Sequence, residues 1–259
     1  MAQMADKGET FPATVENRGG TGRIVLCCEH ASNHFPAGWG DLGLSAEQRL
    51  AHIAWDPGAL ALSRRLSASL KAPLVHAPVS RLIYDLNRPP FSAGAMPARS
   101  EIHDVPGNAT ISAQERAARM RAIYLPFHTA LHDLLAERMA LGLDPVLVTV
   151  HSFTPLYFGK RREVEFGVIH DDDPSLARAI VKAAASTGLR TGLNEPYSAG
   201  DGVTHTLKLQ ATPYGLPHAM LEIRNDLIHD DQSVARMAEL LTPVLNMGLA
   251  EIQRQAKAS

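Results

Sequence analysis

The chain has 259 residues with 25 basic and 27 acidic side chains, a formal charge of −2, and 45 % hydrophobic content. This length accommodates one large domain or two small ones, and the composition excludes a disordered chain. The near-neutral charge leaves no bulk basic field for nucleic acid or for an anionic membrane. The only cysteines, Cys27 and Cys28, are adjacent, which excludes a disulfide framework and suits a reducing compartment. Twelve histidines are the one departure from ordinary usage.

Residues 1–20 are polar and lack an apolar signal core, so they read as a flexible N-terminal arm, with 21–259 as the folded unit. No run approaches the apolar length of a membrane span, and the cytoplasm is the default location. RIVLCC (23–28) is a continuous apolar run bounded by Gly22 and Glu29, the pattern of a buried strand. Helices are expected over 45–52, where Ser45 and Gln48 form a capping box, and over 57–70. Strands follow at 72–79 and 82–86, and then one long helix over 112–141. Strands at 145–150 and 165–170 precede a helix at 174–187. A last strand at 216–224 and a closing helix at 231–256 complete the chain. Strands separated by helices predict a single three-layer α/β domain, a mostly parallel mixed sheet with helices on both faces. Two long irregular stretches, 88–110 and 188–204, are rich in Gly, Pro, Ser and Asn, and long loops of this kind usually carry function.

In an open α/β sheet the site lies beyond the carboxyl ends of the strands, so the residues that follow each apolar run matter most. His30 and His151 follow two of them, and two imidazoles at strand ends can converge on one zinc ion. The third ligand is open among Asp56, Glu29 and Asn33, and Asp56 reads equally well as a helix cap before Pro57. Glu222 lies inside an apolar strand; it is either a general base with a raised pKa or the partner of Arg81 or Arg224 in an ion pair. Asn87-Arg88 offers an amide beside a planar fork that matches a carboxylate, and Asp85 can orient Arg88 or Arg81. The loop 194–206 carries Tyr197 and His205 as candidate substrate contacts on a lid. It holds no phosphate-binding glycine motif. His128, His132 and His170 read as structural, and Asp171-Asp172-Asp173 as a helix cap.

Six motifs in order, CEHASNHFP (28–36), AWDPGALALSRRL (54–66), SRLIYDLNRP (80–89), HSFTP (151–155), NEPYSAGDGVTHTL (194–207) and LEIRNDLI (221–228), resemble the N-formylglutamate amidohydrolase family over nearly the whole chain. That family in turn is similar in fold to zinc carboxypeptidases and aspartoacylases. The resemblance implies His30 and His151 as zinc ligands and Asn87-Arg88 on a substrate carboxylate. It also implies Glu222 as base, with Arg81 or Arg224 assisting the anchor. The wider group has glutamate three residues after its first histidine, where this chain has Asn33, and Asp56 is the replacement the sequence offers. The implied reaction is hydrolysis of a small acidic N-acyl amino acid, N-formyl-L-glutamate first. The rivals are a hydrolase of another N-acyl amino acid or short peptide, and a catalytically silent amino-acid-binding protein of the same fold. A serine hydrolase lacks its GxSxG elbow. Self-association as a homo-oligomer is compatible with every one of these readings.

Overall fold

The run from Ile24 to Cys28, buried at every position, is the second strand of a seven-stranded sheet. A computed structural model of the chain describes residues 9–258. The strands of the sheet are β1 (Thr14–Glu16), β2 (Ile24–Cys28), β3 (Leu74–His76), β4 (Val146–Phe153), β5 (Phe166–Ile169), β6 (Thr191–Leu193) and β7 (His218–Arg224), in the spatial order β1-β3-β2-β4-β7-β5-β6. Most neighbours are parallel; β1 against β3 and β7 against β5 are antiparallel. The central strands are buried on both faces, which is why they read as unbroken apolar runs rather than alternating ones.

Helices α1 (Ala46–Leu50), α2 (Ala59–Leu70), α3 (Ala113–Arg119), α4 (Leu125–Ala140), α5 (Ser175–Ala184), α6 (His205–Gln210) and α7 (Asp231–Ala258) connect and cover the sheet. α7 packs against both α2 and α5. At the α5–α7 crossing Gly248 has no side chain, and a Cβ there would stand 2.9 Å from Ile180. None of the described helices is long and apolar enough to cross a membrane.

Several elements differ from their sequence expectation. The arm expected over 1–20 contributes the edge strand β1, while its first eight residues lie outside the described ones. The 82–86 segment is not a strand but a pair of turns. Its apolar residues are buried because side chains replace a ladder: Asn108 donates to Leu82 O (2.8 Å) and Arg119 to Ile83 O (3.3 Å). The single helix expected over 112–141 is α3, then a π-helical turn at Met120–Tyr124, then α4 with Pro126 in its first turn. Proline lacks the N–H that would continue the regular ladder, so the chain widens before it. The stretch 188–204, read as irregular, contains β6. The helix over 57–70 begins only at Ala59, because Gly58 sits at φ +81° against the carbonyl of Ile228. Asp56 is therefore not its N-cap.

Gly167 on β5 links the sheet to the 194–204 loop. A Cβ built there would fall 1.8 Å from the carbonyl oxygen of Glu195 and 3.3 Å from Cβ of Glu222. The absent side chain lets the loop cross the strand beside Glu222. Gly167→Ala is expected to push the loop off the sheet at a cost of about 1–3 kcal/mol, a fall of roughly 3–10 °C in Tm. A thermal melt of the variant that matches the parent contradicts this packing.

Candidate active site

Parallel register sets the first part of the site. Glu222 of β7 lies opposite His151 of β4, so both side chains leave the same face of the sheet side by side. His151 is inside β4, which runs on to Phe153, rather than after it. His30 follows β2, the strand next to β4. Asp56 comes from the turn before α2, where its backbone N–H donates to His30 O (2.9 Å). All four side chains are buried.

Three ligand atoms form a nearly equilateral triangle. His30 Nδ1 and His151 Nδ1 are 3.2 Å apart, His151 Nδ1 and Asp56 Oδ2 are 3.0 Å apart, and His30 Nδ1 and Asp56 Oδ2 are 3.3 Å apart. Neighbouring ligands of a tetrahedral zinc ion with bonds of about 2.0 Å stand roughly 3.3 Å apart. The outer nitrogens fit the same reading. His30 donates from Nε2 to Asp85 Oδ1 (2.8 Å), which leaves its Nδ1 lone pair aimed into the triangle. His151 Nε2 lies 3.2 Å from Glu29 Oε2. A carboxylate behind each imidazole is the arrangement that orients metal-binding histidines. Chemically, the buried His-Asp-His group can hold a divalent metal.

Of the three candidates for a third ligand, Asp56 is the one that meets the two histidines. Asp56 joins the two histidines, Glu29 stands behind His151, and Asn33 makes no hydrogen bond to any of them. Charge follows the geometry. Burial alone raises the Asp56 and Asp85 carboxyls, but His30 beside each holds both well below the usual range, with Arg81 also acting on Asp85. Burial is likewise outweighed at Glu29, where His151 holds the carboxyl at about 2. Burial would lower the His151 imidazole, yet Glu29 and Asp56 keep it well above the ordinary histidine value. Glu222 goes the other way: burial pushes its carboxyl up to about 7, against the pull of His151. Its Oε2 has no hydrogen-bond partner among the described residues, so no ion pair with Arg81 or Arg224 occupies it.

The remaining candidates separate into two groups. Arg81 donates to Asp85 Oδ2 (2.8 Å) and Asp56 Oδ1 (3.4 Å), clamping both carboxylates beside the histidines. Tyr197 stands on the loop that crosses β5 beside Glu222, and burial, with the Glu222 charge adding to it, raises its phenol to about 12, so the hydroxyl keeps its proton. Arg224, in contrast, is used within the structure: it bonds Asp226 (2.8 Å) and Glu165 (3.4 Å) at the end of β7. Asn87 and Arg88 hold the loop. Asn87 donates to Val203 O and accepts from Thr206 N (3.0 Å), and Arg88 donates to Gly202 O (2.7 Å). His205 Nε2 is 2.9 Å from the Tyr124 hydroxyl, above the π-helical turn. His128 donates to Leu86 O (3.0 Å) and His170 to Asp171 O (2.7 Å), so both are structural.

Two residues escaped the sequence reading. His52, Nδ1 3.7 Å from Asp56 Oδ1, fell in an expected helix; burial keeps its imidazole neutral, at about 4. Arg162 directly follows a short hairpin (Leu156–Tyr157 with Lys160–Arg161) and donates to the Tyr197 hydroxyl at 2.8 Å.

The profile of the N-formylglutamate amidohydrolase family matches residues 22–229. The gene product Atu2144 from Agrobacterium tumefaciens is 48 % identical, with TM-score 0.92, over 95 % of this chain and 97 % of that one. The N-formylglutamate amidohydrolase from Ralstonia eutropha JMP134 shares the fold at 18 % identity and TM-score 0.67, over 93 % and 98 % of the two chains. No curated protein sequence matches the chain.

Among the described residues Arg81 is the only permanently charged cation bonded to the Asp56–Asp85 pair, and removing one partner of a buried pair costs about 3–5 kcal/mol. Arg81→Met is expected to lower unfolding stability by roughly that amount in urea titrations. A loss below about 1 kcal/mol contradicts the clamp.

Proposed function

Because the chain belongs to the N-formylglutamate amidohydrolase family, we propose that it hydrolyses the amide of an N-formyl amino acid, N-formyl-L-glutamate first, to formate and the free amino acid. The observation that carries this reading is the His30–Asp56–His151 triangle beside a buried carboxyl with a free oxygen, Glu222 Oε2. Zinc held by His30, Asp56 and His151 would supply Lewis-acid polarisation of the formyl carbonyl and an acidified water. The protein's own groups do the rest.

Glu222 takes a proton from the attacking water as the water oxygen bonds to the formyl carbon. The same carboxyl then returns that proton to the amide nitrogen as the C–N bond breaks, so the amine leaves neutral. A carboxyl near pH 7 can run both transfers, and burial among apolar strands is what brings Glu222 there. The Tyr197 hydroxyl, still protonated and held by Arg162, is a donor for the oxygen on which negative charge develops. Arg88, paired here only with the carbonyls of Asn87 and Gly202, is free to exchange one of them for a substrate carboxylate. Asp85 fixes the His30 imidazole by a hydrogen bond, and the Glu29 carboxylate lies 3.2 Å behind that of His151 as its counter-charge.

Formate release from a panel of N-formyl amino acids is the direct test. The parent protein is expected to turn over N-formyl-L-glutamate, to lose activity to a chelator and to regain it with zinc. Glu222→Gln, which keeps the shape and removes the base, is expected to lose about 10²- to 10⁴-fold in kcat. A variant within about threefold of the parent, or a parent that releases formate from none of the panel, contradicts the reading.

A further inference from the structure

The arginines around the centre differ in what neutralises them. Arg81 has two carboxylates, Asp56 and Asp85, and Arg224 has two, Glu165 and Asp226. Arg88 and Arg162 have no carboxylate partner among the described residues; each bonds only carbonyl or hydroxyl oxygens. The acids nearest to Arg162 in sequence are already taken. Glu163 pairs with Arg190, and Glu165 with Arg190 and Arg224. The cation on Arg162 is thus held beside the site without an internal counter-charge.

Its placement is also fixed. The guanidinium lies over the rings of Tyr157 (4.3 Å), Tyr197 (4.9 Å) and Phe153 (5.4 Å). Phe153 is two residues beyond His151 on the same strand, so this aromatic cradle rises from the His151 face of the sheet. Arg224 donates to the backbone carbonyl of Arg162 at 3.2 Å, which ties the hairpin to the end of β7, two residues from Glu222. Stacking against ring faces sets the plane of the fork and leaves its N–H edge for a planar anion. Arg162 and Arg88 hold the two ends of the same strap, at Tyr197 and Gly202, and Arg88 lies on the Asp85 side of the centre.

Resting on the amide hydrolysis proposed above, we propose that Arg162 is the specificity-determining residue. It binds the side-chain carboxylate of an acidic N-formyl amino acid, while Arg88 takes the other carboxylate. Two uncompensated cations then meet the two anionic groups of one dicarboxylic substrate, and a neutral side chain leaves the Arg162 charge unpaired. The Arg162–Tyr197 bond makes the same contact organise the hydroxyl over Glu222.

The test compares N-formyl-L-glutamate with its neutral isostere N-formyl-L-glutamine. The parent is expected to prefer the glutamate substrate. Arg162→Gln is expected to lose about 10- to 100-fold more in kcat/KM on that substrate than on the glutamine one, the extra loss falling chiefly in KM, while the loss shared by both substrates reads its hold on Tyr197. Arg162→Lys is expected to recover part of the preference, since charge returns without the fork. Equal losses on both substrates, or none on either, overturn the assignment. Calorimetric binding of glutarate and butyrate to the metal-loaded protein separates this from the catalytic reading. Even a parent that hydrolyses no N-formyl amino acid is expected to bind glutarate more tightly than butyrate. Arg162→Gln is expected to erase that difference, and a difference that survives in the variant overturns the anchor.

Discussion

Three carboxylates, Asp56, Asp85 and Glu29, are buried around two imidazoles at the carboxyl end of the central strands, and among the described residues only one permanently charged side chain, Arg81, bonds any of them. Burying such a group without compensation is costly, so the remaining positive charge has to come from the histidines or from a cation between them. Much of the neighbourhood serves this constraint. Asn108 and Arg119 hold the turns that carry Arg81 and Asp85, and Gly58 turns the chain so that Asp56 faces the histidines instead of capping α2. The same environment leaves Glu222, whose Oε2 has no partner among the described residues, as a carboxyl that burial pushes up to about 7.

Much of this was legible in the sequence because burial and strand ends leave simple marks. RIVLCC and PVLVTV announced central parallel strands, and the polar residues that follow or end them, His30 and His151, announced the centre. What the sequence left open turns on three-dimensional convergence. Asp56 and Glu29 carry the same chemistry and differ in which nitrogen of the imidazoles they face, a distinction that spacing does not encode. The 82–86 segment misled because its apolar content is that of a strand, while its backbone acceptors are satisfied by side chains from residues 108 and 119. Arg162 was invisible for a related reason. Its value lies in the acids beside it being paired elsewhere, and a run of mixed charges in one dimension shows no such pairing.

The 194–204 strap joins fold and chemistry. It crosses β5 beside Glu222 where Gly167 lacks a side chain, and is tied at Tyr197 by Arg162 and at 202–203 by Arg88 and Asn87. Sheet, strap and hairpin therefore surround Glu222 with groups of defined sign: carboxylates behind the imidazoles, and the Arg88 and Arg162 guanidiniums along the strap.

Anomalous diffraction at the zinc edge from crystals grown with zinc tests the centre most directly. One peak is expected within about 2.0–2.2 Å of His30 Nδ1, His151 Nδ1 and Asp56 Oδ2 together. A triangle without a peak, or zinc bound only through Glu29 or Asn33, contradicts the account.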